Sequence, residues 1–234
     1  MYEQAAAARG RWTRGGGVAP WPIVLGGLTL ELRAAAGGQV GLFAEHAVLW
    51  PWIRSAVTRA AVERPRPAEV LSLFAYTGGA TLAAAGAGAR VAHVDASRPA
   101  VAWARRNAEL SGLGDRPVRW LVEDARTLVA REIRRGRRYD GFVVDPPSYG
   151  HGPSGDAWLL ERDIGPLLED LARLRCDEGA FLLLTAHTEG VGPGDFGWLV
   201  RQTFGREAEI GSLELEADSG AVLHLGSVAK LGAR

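Results

Sequence analysis

The chain is poor in several things, and each shortage excludes a class of protein. One cysteine, Cys176, excludes an internal disulfide and favours a reducing compartment. No stretch approaches ~20 uninterrupted apolar residues, so no membrane span is expected. The N-terminal text MYEQAAAARGRWTRGGG lacks the apolar centre of a secretory signal and reads as a flexible lead, so a cytoplasmic protein is expected. Net charge is also lacking: 27 basic residues balance 27 acidic ones, so no global field recruits nucleic acid or an anionic membrane. Lysine is nearly absent. Lys230 stands alone among arginines, which looks like genomic base composition rather than selection for arginine chemistry.

What is present reads as a soluble α/β protein. Hydrophobic residues make up 47% of the 234, enough for one large domain with an appendage. After a lead over residues 1–20, WPIVLGGLTLELRA and QVGLFAEH look like two short strands joined at Gly37-Gly38. A helix around Trp50 to Glu63 follows, then the stiff connector RPRPA, which closes an extension over residues 21–68.

From residue 69 to 234 strand-like and helix-like segments alternate. Strands are predicted at Val70–Ala75, Arg90–Asp95, Val118–Val122, Tyr139–Val144 and Ala180–Thr185. Helices are predicted at Gly79–Gly86, Arg98–Leu110, Ala125–Arg135 and Ala157–Arg175. Such spacing argues βαβ units and a parallel sheet covered on both faces. EIGSLELEA and AVLHLGSVAKL, joined by Asp218-Ser219-Gly220, read as a closing antiparallel hairpin. The fold class is α/β: a doubly wound, mostly parallel, seven-stranded sheet with one antiparallel strand.

In such sheets ligands bind beyond the carboxyl ends of the strands, so the residues there carry the chemistry. The first strand ends in Phe74-Ala75 and is followed by Tyr76-Thr77-Gly78-Gly79, a turn opening a helix whose free N–H groups suit an anion. The second ends at Asp95, with Ala96 and Ser97 behind it; Asp95 can accept from ribose hydroxyls or cap the next helix. Glu123, Asp124 and Ala125 follow the third strand, and Asp124 has the same two options. The fourth runs into VVDPPSYG, where Asp145, Pro146 and Pro147 stiffen the backbone ahead of Tyr149. A nicotinamide dinucleotide would need a GxGxxG turn after the first strand, where the text is TGGATL. The GxG at Gly86 to Gly88 precedes a strand instead of opening a helix.

Taken in order, VLSLFAYTGGATL, HVDASRPAVAWARRNAELSGL, VEDARTLV and VVDPPSY resemble the four motifs of class I S-adenosylmethionine-dependent methyltransferases. The resemblance is greatest to the group containing the large-subunit ribosomal RNA cytosine-C5 methyltransferases, whose glycine-phenylalanine segment GQVGLFAEH is similar to. It implies a Rossmann-like domain over 69–234, with S-adenosylmethionine as cofactor and an RNA substrate of the ribosomal kind. It implies that Phe74, Tyr76, Thr77, Gly78 and Gly79 hold the methionine part, and Asp95 the ribose. Ala96, Ser97, Glu123, Asp124 and Ala125 would lie about the adenine, with Phe43 and Glu45 as a cover.

Asp145, Pro146, Pro147 and Tyr149 would orient the methyl acceptor, as in methyltransferases whose (D/N)PP oxygens accept hydrogen bonds from an amine. Cytosine-C5 chemistry further requires a cysteine thiolate beside the acceptor. Here motif IV has none, LLLTAHT puts His187 near the expected place, and Cys176 precedes the fifth strand. Residues 1–68 leave no room for the N-terminal RNA-binding domain usual in that group. A nitrogen of an RNA base is therefore the expected acceptor. A protein amide, a small heterocycle, or a non-catalytic cofactor-binding assembly module are the alternatives. No metal site is expected. Trp103, Trp120 and Trp158 read as packing residues, and the arginines from Arg131 to Arg138 as a solvated helix end.

Overall fold

The computed structural model of the chain describes residues 19–35, 38–152, 155, 157–176 and 179–232, together with the backbone of 2–3 and 11–12. Most of the expected N-terminal lead lies outside these residues. Within it, β1 (Tyr2–Glu3) pairs antiparallel with β2 (Arg11–Trp12).

The first hairpin differs from the expectation. Its strands are β3 (Trp21–Leu25) and β4 (Leu28–Leu32), and its turn is Gly26-Gly27. Both glycines have positive φ, 55° and 80°, as a two-residue turn matched to strand twist requires. The chain does fold back beyond β4, where Arg33 and Ala35 N–H groups donate to the Val40 and Gln39 carbonyls. Among the described residues no strand forms there, and Ala44–Leu49 is a 3₁₀ helix running into α1 (Trp50–Glu63).

Beyond the connector come β5 (Glu69–Leu73), α2 (Gly79–Gly86), β6 (Arg90–Asp95), α3 (Arg98–Leu110), β7 (Val118–Val122), α4 (Ala125–Arg134) and β8 (Gly141–Val144). A second departure follows. The predicted helix from Ala157 begins only at Leu160, because Ala157–Leu159 is a strand, β10, paired with β9 (Tyr149–His151). Then come α5 (Leu160–Leu174), β11 (Phe181–Ala186), α6 (Pro193–Phe204), β12 (Glu209–Glu216) and β13 (Val222–Leu231).

The main sheet has seven strands in the order β12-β13-β11-β8-β5-β6-β7. β13 alone runs against its neighbours, and the other ladders are parallel. Side-chain alternation divides the strands between two cores. Leu71, Leu73, Phe142, Val144, Leu182 and Leu184 face α4, α5 and α6. Val70, Val143, Phe181 and Leu183 face the other way, against α1, α2 and the β3–β4 hairpin. The extension thus shares a core with the sheet, through Leu28, Leu30, Trp50 and Ile53.

The connector is also anchored. The Arg66 guanidinium donates to both oxygens of the buried Asp140 at 2.6 and 2.9 Å, with Arg64 Nη1 3.3 Å away. Asp140 immediately precedes β8, so this cluster marks the amino end of the strands, opposite the cleft described below. The arginine-rich helix end lies here too: Arg119, Arg135 and Arg137 surround the buried Glu132.

Candidate active site

β5 and β8 are neighbours, and chain order runs outward from them in opposite directions. A cleft of about 520 Å³ opens at their carboxyl ends. The turn after β5 is strained and clamped. Phe74 and Tyr76 hold φ of 54° and 47°, a region non-glycine residues avoid at a cost of about 1–3 kcal/mol each. Asp95 offsets part of this by accepting from Tyr76 N at 2.8 Å.

The two glycines answer to packing on the protein itself. Gly78 has φ of 91°, and a Cβ there would lie 3.0 Å from Ala104 Cβ on α3. A Cβ on Gly79 would lie 2.7 Å from the Trp50 ring of α1. Thr77 is buried: its hydroxyl donates to the Gly41 carbonyl at 2.8 Å, and its own carbonyl accepts from Asn107 Nδ2 at 2.9 Å. Gly41 in turn has φ of 92°, and a Cβ on it would fall inside the indole of Trp103. The segment carrying Phe43 is therefore fastened to the turn at one point.

At the end of β6, the Asp95 carboxylate also accepts from Ser97 N at 2.8 Å. Burial raises its pKa, and the two N–H groups partly oppose the rise. Ser97 Oγ caps α3 by accepting from Ala100 N. After β7, Asp124 caps α4 through Thr127 N at 2.9 Å and pairs with Arg126 at 3.4 Å, while Glu123 pairs with Arg131 at 2.6 Å. The cap weighed for Asp95 falls to Ser97 instead, whereas Asp124 does take the capping role weighed for it. Asp95, Ala96, Ser97, Glu123, Asp124 and Ala125 nonetheless all line the cleft.

Asp145 sits where β8 ends. Its Oδ1 accepts from Thr185 Oγ1 of β11 at 2.6 Å, and its Oδ2 lies 3.8 Å from His46 Nδ1. Pro146 is buried, Pro147 exposed, and the Pro147 carbonyl accepts from Trp158 Nε1 at 2.7 Å. Trp158 packs on Phe74 with ring centroids 4.8 Å apart, so it walls the cleft as well as filling the core. Tyr149 stands at the rim, not in the wall, of the cleft. It is 54% exposed on β9, with its hydroxyl on His151 Nε2 at 2.7 Å, and Gly150, His151 and Gly152 line the cleft in its stead.

From the extension, Phe43 lines the cleft against Tyr76 and His187, with centroids 5.6 and 5.3 Å away. Glu45 lies behind it, buried, with Oε1 3.7 Å from His187 Nδ1. His46, Thr185 and Trp158 were not expected at the site; Thr185 closes the predicted fifth strand, His46 carries no strand-end signal, and both reach Asp145 through the tertiary fold.

The wall identifies what it can hold. Four carboxylates line it, those of Asp95, Glu123, Asp124 and Asp145, with no arginine or lysine among the lining residues. Glu123 and Asp124 are paired with arginines behind the wall, but Asp95 and Asp145 have no arginine partner, and their charge repels a pyrophosphate and attracts a cation. Phe43, Phe74 and Trp158 supply apolar faces for a flat ring, and Asp95 an acceptor for hydroxyls. A sulfonium nucleoside fits these donors and acceptors, whereas a dinucleotide does not. Cys176 is remote: its N–H bonds the Tyr139 carbonyl beside Asp140, at the opposite end of the sheet.

Comparisons with known proteins agree. The chain aligns at 33% identity over 152 residues with the ribosomal RNA large subunit methyltransferase K/L of Methylococcus capsulatus; this is 64% of the chain and 19% of that relative's length. The chain therefore spans about a fifth of the curated relative it matches. The crystal structure of an S-adenosylmethionine-dependent methyltransferase from Agrobacterium tumefaciens superposes with a TM-score of 0.88 at 33% identity, covering 100% of this chain and 76% of that one. SMU.776, a methyltransferase solved with S-adenosylhomocysteine, shares the fold at 18% identity, with a TM-score of 0.74 over 90% of this chain and 55% of that one. The family model for S-adenosylmethionine-dependent methyltransferases matches residues 2–214, and the chain belongs to that family.

Proposed function

We propose that the chain methylates a nitrogen of a base in RNA of the ribosomal kind. The observation that carries this reading is the Asp145-Pro146-Pro147 segment. Its carboxylate is held on one oxygen by Thr185, its second proline is pinned by Trp158, and no cysteine lines the cleft. S-adenosylmethionine, when bound, supplies an electrophilic methyl group on a sulfonium.

The residues supply alignment, which carries much of the rate in such a transfer. Tyr76, Thr77, Gly78 and Gly79 would hold the methionine part, with Phe74 and Phe43 beside it. Asp95 would take the ribose, and Ala96, Ser97, Asp124 and Ala125 the adenine. Asp145 Oδ2 and the Pro146 carbonyl would accept from an exocyclic amine. Tyr149 and His151, on β9 of the β9–β10 pair beside the cleft, offer rings on which a base can stack. The ribosomal relative supports RNA as the substrate, and an acceptor of that kind would put the chain in the cytoplasm. Among the described residues no helix is long and apolar enough to cross a membrane.

The test is transfer of labelled methyl groups from S-adenosylmethionine to total RNA and to protein, both from cells lacking this chain. Label in RNA recovered as an N-methylated base supports the reading. Label confined to protein or to small heterocycles redirects it, and a C5-methylcytosine product overturns it. Calorimetry with S-adenosylhomocysteine tests the cofactor half separately. Asp95→Ala should weaken binding by about 1.5–3 kcal/mol, the worth of a hydrogen bond to a charged group.

A further inference from the structure

Two imidazoles stand beside Asp145. His46, in the 3₁₀ helix, and His187, just after β11, bring their Nε2 atoms to 2.9 Å. Their ring planes differ by 11° and their centroids lie 5.1 Å apart. The centroid separation exceeds the nitrogen separation by nearly two ring radii. The rings therefore meet tip to tip along an N–H···N hydrogen bond. Ligand atoms of Glu45, His46 and His187 do lie within 4.8 Å of one another. But two Nε2 lone-pair directions aimed at each other share no vertex for a metal ion, so the geometry favours a hydrogen-bonded pair.

The hydrogens on this pair follow from its partners. His187 Nδ1 is 2.7 Å from the Leu225 carbonyl, which can only accept, so Nδ1 carries a hydrogen. In the neutral ring Nε2 is then bare, and the shared hydrogen belongs to His46 Nε2. This leaves His46 Nδ1 as the pair's one bare nitrogen, 3.8 Å from Asp145 Oδ2. A lone pair turned toward a carboxylate is unfavourable, and a proton there makes it attractive. The charged groups facing the pair are both acidic: Asp145, 4.0 Å from His187 Nε2, and Glu45, 3.7 Å from His187 Nδ1.

We infer that His46 Nδ1 receives the proton that the methyl acceptor sheds, with His187 as the positioning residue that fixes its tautomer. The inference rests on the nitrogen acceptor proposed above. The acceptor's lone pair forms the new N–C bond, and the S–C pair stays on sulfur as the sulfonium becomes a thioether. The positive charge moves to nitrogen, which then loses one proton. That proton reaches His46 Nδ1 by way of the Asp145 carboxylate and leaves an imidazolium between Asp145 and His187. Loss of the proton to solvent restores the pair.

The experiment has two arms. In the first, nitrogen-15 NMR of the full chain with labelled histidine and added S-adenosylhomocysteine reads the tautomers directly. The expected result is His187 protonated at Nδ1, neutral His46 protonated at Nε2, and uptake at His46 Nδ1 on acidification. His187→Gln should change the tautomer mixture of His46. Neutral His46 carrying its hydrogen on Nδ1, or a tautomer indifferent to His187→Gln, overturns the inference. The second arm measures single-turnover methyl transfer to total RNA from cells lacking the chain, across pH. His46→Gln should lower the rate by roughly 10²-fold and abolish its rise with pH, while S-adenosylhomocysteine affinity stays within a few-fold. A wild-type rate and pH profile in that variant overturns the inference. If wild type labels no RNA, the proposed acceptor fails and the tautomers alone decide the histidine assignment.

Discussion

His93 makes the turn that carries the candidate cofactor residues sensitive to acid. It sits on β6, fully buried, with Nδ1 2.9 Å from Thr81 Oγ1 and its ring 4.8 Å from that of Trp120. Its Nε2 has no hydrogen-bond partner among the described residues, and its Cε1 lies 3.8 Å from where a Cβ on Gly78 would stand. Burial, and secondarily the charge of Arg105, lower its pKa to about 3. The folded chain therefore refuses a proton that the unfolded chain accepts below the ordinary histidine value of about 6.5. The resulting stability is complete above that value and is lost as pH falls toward the folded pKa.

At 1.36 kcal/mol per unit, the loss from pH 6.5 to 4.5 is about 2–3 kcal/mol, a large part of a typical domain's stability. The assay is urea unfolding between pH 7.5 and 4.5 on wild type and on Thr81→Val/His93→Leu. Replacing both partners avoids leaving either one buried and unpaired. The double variant should show a pH slope smaller by about one proton, and the other histidines cancel in the comparison. Equal slopes in the two proteins would refute the reasoning.

Three further outcomes follow from the packing. Arg66→Ala leaves the buried Asp140 carboxylate to Arg64 and should cost about 2–4 kcal/mol in a thermal or urea melt. Burial alone would raise the Asp140 pKa, but Arg66 and the Glu69 N–H hold it below the usual range. The stability it contributes is thus present above the unfolded carboxylate value near 4 and is lost as pH falls, and Arg66→Ala should flatten that acid limb. Gly41→Ala drives a Cβ into Trp103 at φ of 92°, and should destabilise by about 2–4 kcal/mol and weaken S-adenosylhomocysteine binding through Thr77. A melt and a calorimetric titration matching wild type would contradict it. Cys176→Ser should leave methyl transfer within a few-fold; a protein–RNA adduct that vanishes in this variant would restore a thiolate mechanism.

Much of the sheet was legible because buried parallel strands and amphipathic helices impose different periods. Arg90–Asp95, Val118–Val122, Gly79–Gly86 and Arg98–Leu110 came out with the bounds expected, and the hairpin at Asp218-Ser219-Gly220 formed. Strand ends drew attention to the acids because that is where a parallel sheet exposes its carboxyl edge. The errors fell where two short-range signals competed. Gly26-Gly27 and Gly37-Gly38 are both plausible turns by local sequence; the Gly26 turn is also seated against Trp50, a contact outside any short window. Ala157–Leu159 runs without a break into a helix, and no capping side chain stands at the boundary. What marks it is an acid one turn inside the helix instead of at the N-cap: Asp163 accepts from Leu159 N at 2.9 Å. His46 and His187, 141 positions apart, meet only because the 3₁₀ helix before α1 is brought to the carboxyl end of β11, which no window of sequence contains.

The acids at the strand ends invite a choice between helix cap and ligand contact, and the geometry removes the need for it. A carboxylate has about four lone-pair sites, so one N–H bond at a cap leaves acceptors free. What separates the four is the counter-charge. Glu123 has Arg131 and Asp124 has Arg126, so neither leaves net charge on the cleft. Asp95 is held by neutral N–H groups and Asp145 by a neutral hydroxyl. The uncompensated negative charge of the wall thus lies at Asp95 and Asp145, the two positions assigned to the ribose and to the acceptor. Of these, only Asp145 has a titratable neighbour able to answer it, His46. A proton held on His46 offsets the Asp145 charge, and its departure restores the negative acceptor end that the next amine must meet.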